Sequence, residues 1–300
     1  MEVQTVVLIV GVGLAALATA ACLTQLSIPY VIIEHEDCSA SLWRNHAYDH
    51  LNLHLAKEFY NYIECFDIRP KYQTTIESCS YDEGGKCWLS LARETTPSVV
   101  VRYTSRFLVV ASGENSAQNI PIILGLHDFA GETIHSSRYK SGAAYSGKNV
   151  LVVGCGNFGM EIAYDLASHG ANTSIVIHSS VHVATKEIIR LGMTLVQHIP
   201  VKIVDYLLVR SSNFVFGDLS KHVIVRQKIG RLLLKEKNGR SAVIDVRTIS
   251  LIKNGTIKVL GDISKIKGNK VEFEGRKESS FDVIVFATGY KSTTNLWLKR

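Results

Sequence analysis

The stretch VVLIVGVGLAALATAACL at residues 6–23 decides the fold of the first part of the chain. Its β-branched beginning, VVLIV, predicts a buried strand, and the apolar segment after Leu14 predicts a helix. Between them lies GVGLAA, Gly11–Ala16, which we call the first glycine turn. In a G-x-G-x-x-A pattern placed this way, the first glycine makes a sharp turn and the second lets the backbone approach a diphosphate. The stretch therefore predicts a strand–turn–helix unit that binds a dinucleotide.

An acidic residue follows at the distance that such a site needs. Glu34 comes directly after the next apolar run, Tyr30 to Ile33, where a carboxylate can bind both hydroxyls of an unphosphorylated ribose. The diphosphate is expected at the helix N-terminus, where free amides and the helix dipole favour negative charge. FAD or NAD fits this arrangement, and the candidate binding residues are Gly11, Val12, Gly13, Leu14, Ala15, Ala16 and Glu34.

The pattern occurs a second time, deep inside the chain. NVLVV is followed by GCGNFG, which we call the second glycine turn and whose candidate binding residues are Gly154, Cys155, Gly156, Asn157, Phe158 and Gly159. Here the position that matches Glu34 is His178, followed by two serines, with no carboxylate to repel a 2′-phosphate. This difference favours NADPH. Two such turns predict two dinucleotides held face to face, with electron transfer between them.

A membrane anchor or signal sequence is the alternative for residues 6–23, because the stretch carries no charge and approaches the length of a span. Three observations oppose it. The preceding MEVQT is acidic rather than basic, Glu34 lies at the ribose distance, and the second glycine turn repeats the arrangement far from the N-terminus. We therefore expect the dinucleotide fold.

Composition and charge are typical of an enzyme with small-molecule partners. The 300 residues, 46% of them hydrophobic, suffice for two domains with cores of their own. The net charge of +6 is scattered, without the basic stripe and interleaved aromatics of a nucleic-acid surface. It suits anionic cofactors and small acidic substrates, so no nucleic acid is expected as a partner.

The six cysteines show no CxxC pair and no metal-ligand spacing, so we expect no metal. Their spacing also disfavours the disulfide reductases, which combine two nucleotides with a redox-active cysteine pair. Cys155 is best explained as a small residue that fills space in the second glycine turn. Reduced thiols predict a cytoplasmic protein. Association with the endoplasmic reticulum and the oligomeric state stay open.

The remaining segments predict mostly strands. A β-meander is expected at Thr74 to Tyr81, Cys87 to Ala92 and Val99 to Tyr103, followed by a separate buried strand from Phe107 to Ala111. Residues 187–215 have helical spacing broken at Pro200, which predicts helices with a core-facing stripe; a membrane-surface role is the alternative. Short strands near 243–246, 257–260 and 271–273 precede a final buried strand in FDVIVFATGY.

The order of these motifs resembles the flavin-containing monooxygenases. Between the two glycine turns lies FAGETIHSSRY, which matches the family signature FxGxxxHxxxY at Phe129, Gly131, His135 and Tyr139, and FATGY follows near the end. Segments such as SLWR, LHLAKEF, HSSRYKSG and NVLVVGCGNFGMEIAYDL are similar to the plant YUCCA group of that family. The resemblance covers nearly the whole chain.

The resemblance implies an α/β fold with two Rossmann-like domains of the three-layer ββα type. Residues 1–120 and 283–300 would form the FAD domain, into which the NADPH domain, residues 121–282, is inserted. It also implies NADPH-dependent oxidative decarboxylation of indole-3-pyruvate, a 2-keto acid, to indole-3-acetate, the last step of auxin synthesis in plants. In this chemistry NADPH reduces FAD, dioxygen adds at the flavin C4a, and the resulting peroxide attacks the keto carbon before carbon dioxide leaves.

The same resemblance assigns further site residues. Trp43, Arg44 and the segment from His54 to Lys57 are expected near the flavin, and His178 and Lys186 near the NADPH phosphate. His54 and His135 are candidates for proton transfer, although for His135 a structural, hydrogen-bonded role is favoured. No other catalytic residue is expected, because the flavin performs the chemistry.

The chain also departs from the family pattern. It has Ala16 where the family has Gly, Ser112 where it has Thr, and His178 and Lys186 where Arg is usual. Family members carry a further stretch near Lys57 and continue beyond FATGYKS. The alternative hypothesis is therefore a truncated, catalytically impaired member that acts as a nucleotide-binding or interaction protein. A third is a flavoprotein that oxygenates nitrogen or sulfur, or a reductase without oxygenation.

Overall fold

A computed structural model describes residues 1–41, 62–96, 98–222, 224, 230–238, 242–275 and 277–299, with the backbone alone at 222 and 235–238. These residues divide into two compact units. The first unit contains the described residues within 1–119 and 290–299, and the second contains those within 120–289.

The first unit is built on a five-stranded sheet with the order β2-β1-β5-β4-β3. The interior strand β1 runs parallel to both of its neighbours, and its second half, Val7 to Val10, is buried on both faces. That explains why VVLIV is apolar throughout rather than alternating. The elements of this unit are β1 (Glu2–Val10), α1 (Leu14–Gln25), β2 (Tyr30–Ile33), β3 (Thr74–Asp82), β4 (Cys87–Glu94), β5 (Val99–Val110), β6 (Ala117–Gln118), β17 (Tyr290–Lys291) and α7 (Thr294–Trp297).

The β-meander is confirmed, but the division of its last part into two strands is wrong. One strand, β5, runs from Val99 to Val110. Its first part pairs antiparallel with β4, and most of its length pairs parallel with β1. The polar residues Thr104 and Ser105 have partners in both β1 and β4. No glycine or proline interrupts it, and the polar residues therefore continue the strand.

The second unit is built on an all-parallel sheet with the order β12-β9-β8-β16-β7. The helix between β8 and β9 packs on both of these strands, as in a βαβ crossover. The elements are β7 (Glu132–His135), β8 (Asn149–Val153), α2 (Asn157–Ser168), β9 (Asn172–Val176), β10 (Val183–Ala184), α3 (Lys186–Leu195), α4 (Val201–Phe216), α5 (Arg231–Asn238), β11 (Val243–Ile244), α6 (Thr248–Lys253), β12 (Lys258–Leu260), β13 (Ile263–Lys267), β14 (Lys270–Phe273), β15 (Lys277–Ser280) and β16 (Val283–Phe286).

A small antiparallel sheet, β13-β14-β15, forms the third layer of this unit. Its buried residues Ile266, Val271 and Phe273 share one core with Leu151 of β8 and Phe286 of β16. Because side chains alternate across a strand, the other face of β8 is left for α2. The predicted α/β class with Rossmann-like, three-layer ββα organisation is confirmed here.

The predicted domain boundary at residue 283 differs from the structure. Strand β16 lies in the second sheet, between β8 and β7, with Val283 opposite Val150. The first unit resumes only at Tyr290, where β17 pairs with β6. A short apolar strand such as VIVF can be buried in either parallel sheet, so its sequence pattern alone does not select the sheet.

The stretch that could have been a membrane anchor is divided by a turn. Residues 6–23 form the end of β1, the first glycine turn and most of α1, rather than one continuous helix. Within the described part of the chain, every helix is too short or too polar to traverse a bilayer.

We expect Phe286→Ala to destabilise the second unit by about 3–5 kcal/mol, because a large side chain would leave a cavity in a packed core. Phe286 is 0% exposed in the core between β16 and the antiparallel layer. Urea unfolding followed by circular dichroism measures the change. The matched control is Phe214→Ala on α4, whose side chain is 93% exposed and whose loss should cost less than about 0.5 kcal/mol. Equal losses in the two variants would contradict the assigned core.

Candidate functional site

The first glycine turn connects β1 to α1 at the carboxyl end of the sheet. Gly11 has a φ of +105°, a conformation that side chains rarely adopt. A Cβ atom at this position would overlap the carbonyl oxygen of Ala111, at the end of β5. The Gly11 N–H donates to the Ile33 carbonyl over 2.8 Å, which ties the turn to β2. The turn is thus held between the ends of two neighbouring strands.

Gly13 is the N-cap residue immediately before α1 and meets a different requirement. Its backbone is extended, no side chain caps the helix, and a Cβ built on it would meet no atom within 4 Å. Open space in front of uncapped helix amides is what a diphosphate needs. Val12 and Ala16 are buried, whereas Leu14 and Ala15 are exposed. The turn therefore offers backbone rather than side chains to a ligand.

Glu34 lies directly after β2 and is bonded to this turn. Its Oε2 accepts the Val12 N–H at 2.7 Å, and its Oε1 accepts the Glu36 N–H at 3.1 Å. His35 Nδ1 lies 2.7 Å from the same Oε1. Burial of the side chain, 8% exposed, opposes its ionisation, but the hydrogen bonds from His35, Glu36 and Val12 together lower the pKa of Glu34. A carboxylate is therefore present beside the glycine turn.

The second glycine turn repeats this construction. Gly154 has a φ of +109°, its N–H donates to the Val176 carbonyl over 3.1 Å, and its missing Cβ would meet the Ala287 carbonyl at the end of β16. Gly156 is the N-cap residue immediately before α2, it supplies no side-chain cap, and a Cβ built on it would meet open space. A Cβ on Gly159 would overlap the Gly154 carbonyl, so this helix packs closer to its turn than a side chain there would allow.

The other residues of the second turn have structural contacts. Asn157 Oδ1 accepts the Ile244 N–H at 2.8 Å, and Phe158 is half-buried on the first turn of α2. Cys155 is buried, and that burial raises the pKa of its thiol to about 11. A thiol that stays protonated is a poor nucleophile, which agrees with a space-filling role.

At the ribose end of the second turn, the structure places a carboxylate that the sequence spacing did not reveal. His178 follows β9, and its Nδ1 lies 2.5 Å from Oδ2 of Asp262, which follows the neighbouring strand β12. The expectation of no carboxylate near this position is therefore wrong. Asp262 is distant from the turn in sequence, and only the pairing of β12 with β9 brings it there.

Lys186, the other candidate for the NADPH phosphate, is the first residue of α3, which Thr185 caps by accepting the Ile188 N–H. It acts electrostatically on Glu161 of α2. Burial raises the pKa of Glu161 to about 6, while the Lys186 charge lowers it. His178 and Lys186, the two candidates for binding the NADPH phosphate, thus each have a carboxyl group as a neighbour.

The signature FxGxxxHxxxY is held by contacts within the second unit. His135 is buried, its Nε2 lies 3.0 Å from the Gly289 carbonyl, and burial lowers its pKa. The Tyr139 hydroxyl donates to the buried Asp165 of α2 at 2.6 Å, and Gly142 N–H donates to the same oxygen at 2.7 Å. These contacts favour a structural role for His135.

Trp43, Arg44 and His54 lie outside the described residues, and so does Lys57.

The sequence profile of the flavin-binding monooxygenase-like family matches residues 102–296. The chain belongs to this family. The Arabidopsis thaliana protein named probable indole-3-pyruvate monooxygenase YUCCA10 is 47% identical over 322 residues, which take in 99% of this chain and 84% of the relative. The prediction of a flavin-dependent monooxygenase that resembles the YUCCA group is confirmed.

Solved structures of flavin monooxygenases share the fold. The flavin-containing monooxygenase from Stenotrophomonas maltophilia has a TM-score of 0.73 at 15% identity, covering 99% of this chain and 81% of its own. The structure of OTEMO in complex with FAD and NADP has a TM-score of 0.68 at 16% identity, covering 98% and 74%. FAD and NADP are also the pair of cofactors that the sequence predicts for this family member.

The alignment with the Arabidopsis relative runs over 322 residues, more than the 300 residues of this chain. The relative therefore carries residues inside the aligned range that have no counterpart here. This agrees with the missing internal stretch expected near Lys57.

We expect Gly13→Ala to fold normally and to lose flavin. Its φ of −87° suits alanine and the Cβ meets no protein atom, so the added methyl group occupies only the space left for the diphosphate. Flavin bound per protein, measured by absorbance, should fall at least about tenfold. The control is Gly84→Ala in the turn between β3 and β4, where a Cβ makes ordinary contact. Unchanged flavin content in Gly13→Ala would contradict the placement of the diphosphate.

A second expected outcome concerns Glu34→Gln, which keeps the size of the side chain and removes its charge. Because folding lowers the pKa of Glu34, its stabilising effect is complete above the pKa of an unfolded glutamate and is lost as the pH falls through the folded value. The variant should be less stable by about 1.5–3 kcal/mol at neutral pH. Unfolding midpoints of the wild type and Glu34→Gln, measured from pH 7 to strongly acidic solution, give the difference in stability. This difference should disappear in acid.

The control for that series is Glu77→Gln, which removes a half-exposed carboxylate paired with Arg93 on the same sheet. Its effect should be small at every pH, because exposed ion pairs contribute little. A difference for Glu34→Gln that persists in acid would show that the charge is not the cause.

Proposed function

We propose that this chain is an NADPH- and FAD-dependent monooxygenase that converts indole-3-pyruvate to indole-3-acetate in auxin synthesis. The observation that carries the proposal is the 47% identity, across nearly the whole chain, to a relative named for that substrate. The reaction balances as one keto acid, one NADPH, one proton and one dioxygen giving indole-3-acetate, carbon dioxide, water and NADP⁺.

In this proposal the first unit holds FAD. The sharp turn at Gly11 and the uncapped start of α1 at Gly13 present backbone amides to the diphosphate. Glu34, kept ionised by its hydrogen bonds, accepts the ribose hydroxyls. Val12 and Ala16 are buried under the turn and hold α1 against β1. Trp43, Arg44 and His54 are proposed from the family resemblance alone as neighbours of the flavin.

The second unit holds NADPH in the same way. Gly154 makes the turn, Gly156 leaves room for the diphosphate, and Gly159 allows α2 to approach the turn closely. His178 and Lys186 are the proposed neighbours of the 2′-phosphate on the ribose. Asn157 fixes the start of α2 by accepting a hydrogen bond from the Ile244 N–H. His135 and Tyr139 act as structural residues that hold β7 and α2 in place.

When bound, FAD and NADPH supply the redox chemistry: reduction by a hydride, and use of dioxygen to oxygenate the substrate. The protein then needs to bind, orient and exclude water rather than to provide a nucleophile. This division of work explains why the candidate residues are mainly glycines and ribose-binding groups. The substrate is a small anion, which suits the chain's net charge of +6.

The test uses the purified full chain. We expect a yellow protein whose flavin absorbance bleaches when NADPH is added without oxygen. With oxygen and indole-3-pyruvate it should release indole-3-acetate and carbon dioxide in step with NADPH consumption. Gly154→Ala, which strains the second glycine turn, should abolish the bleaching, while Gly84→Ala should leave it unchanged.

Three other outcomes would replace the proposal. A colourless protein would favour the impaired, nucleotide-binding form. Bleaching followed only by hydrogen peroxide, with no product from the keto acid, would favour a reductase. Oxygenation of an amine or a thioether, with indole-3-pyruvate left unchanged, would favour a nitrogen or sulfur monooxygenase.

A further inference from the structure

His178 and Asp262 lie together at the carboxyl edge of the second sheet. Strands β9 and β12 are parallel neighbours, with Val176 opposite Leu260. Each of the two side chains comes two residues after its strand ends. Ligands of such sheets bind outside this edge, so a dinucleotide in the second glycine turn would extend its ribose toward the pair.

The contact limits what His178 can offer to a phosphate. Its Nδ1 lies 2.5 Å from the Asp262 carboxylate, which can only accept a hydrogen bond, so Nδ1 carries the donated proton. Nε2 is then left for another ligand, and it donates to a phosphate only when the ring carries a second proton. Even then the charge of the pair is zero, because the carboxylate balances the ring.

The pair is accessible to a ligand. The His178 side chain is 78% exposed and that of Asp262 is 33% exposed. Lys186, the other cation proposed for this end, acts on the carboxyl group of Glu161. A 2′-phosphate would therefore meet a histidine and a lysine that each have a carboxyl group as a neighbour. An unphosphorylated ribose would instead find a carboxylate acceptor, the function that Glu34 has at the first glycine turn.

We propose that Asp262 sets the coenzyme preference of the second glycine turn by favouring an unphosphorylated ribose, so that this chain accepts NADH as well as NADPH. This inference rests on the proposed function, in which the second turn holds the nicotinamide coenzyme. It assigns a specificity role to Asp262, which contacts His178 rather than the glycine turn itself.

The test measures binding rather than turnover. Isothermal titration of the flavin-loaded protein gives dissociation constants for NADP⁺ and NAD⁺, and for the fragments 2′,5′-ADP and 5′-AMP, which report on the ribose end alone. We expect NADP⁺ and NAD⁺ to bind the wild type within about tenfold of each other. Asp262→Asn should tighten NADP⁺ and 2′,5′-ADP and weaken NAD⁺, shifting the ratio at least about tenfold toward the phosphate.

The matched control is Glu278→Gln on β15, which also removes one carboxylate from the second unit. Glu278 is half-exposed and paired with Lys270 on the antiparallel layer. It should leave the ratio unchanged, which separates a local contact from a change in net charge. The thermal midpoint of each variant shows that both remain folded.

Two results would overturn the inference. An unchanged ratio in Asp262→Asn would remove Asp262 from coenzyme selection while leaving the proposed function intact. Weaker binding of NADP⁺ in that variant would mean that Asp262 orients His178 for the phosphate instead. If no coenzyme or fragment bound any variant, the second glycine turn would not be a nucleotide site, and both the inference and the proposed function would fail together.

Discussion

The close approach of a strand-end carbonyl to the first glycine of each turn is the constraint on which both units depend. At Gly11 the oxygen belongs to Ala111, and at Gly154 it belongs to Ala287. In each case the alanine directly follows the parallel strand beside the glycine-turn strand, and it is followed by Ser112-Gly113 or Thr288-Gly289. Any side chain at the glycine would push the two strands apart at the edge where the nucleotide is proposed to bind. The segments ASG, residues 111–113, and ATG, residues 287–289, are therefore as necessary for the two turns as the glycines are.

Much of the fold could be predicted from the sequence because its main signals are local. A β-branched run, a glycine pattern and a helical segment lie within twenty residues of each other, so Gly11–Ala16 and Gly154–Gly159 could be placed without knowing the rest of the chain. Pro200 likewise separates α3 from α4. These are features that the backbone imposes on neighbouring residues, and they do not require knowledge of distant contacts.

What could not be predicted depends on pairing between distant segments. VIVF is equally compatible with either parallel sheet, and only its position between β8 and β7 assigns it to the second unit. The length of β5 depends on the two strands that flank it. Asp262 comes beside His178 because β12 pairs with β9, although the two residues are far apart in the sequence. Each of these outcomes is a tertiary contact that overrides or supplements the local pattern.

The first unit is completed by residues from near the other end of the chain. Trp297 packs with Tyr103 and Cys79 in the core of the first unit, and Leu298 forms an isolated parallel β-bridge with Cys79 of β3. The second unit is formed from a single continuous stretch, 120–289, in the described part of the chain. During synthesis from the N-terminus, residues 120–289 of the inserted unit therefore leave the ribosome before Trp297 does. The inserted unit can therefore form before the first unit has Trp297, the tryptophan that completes its core.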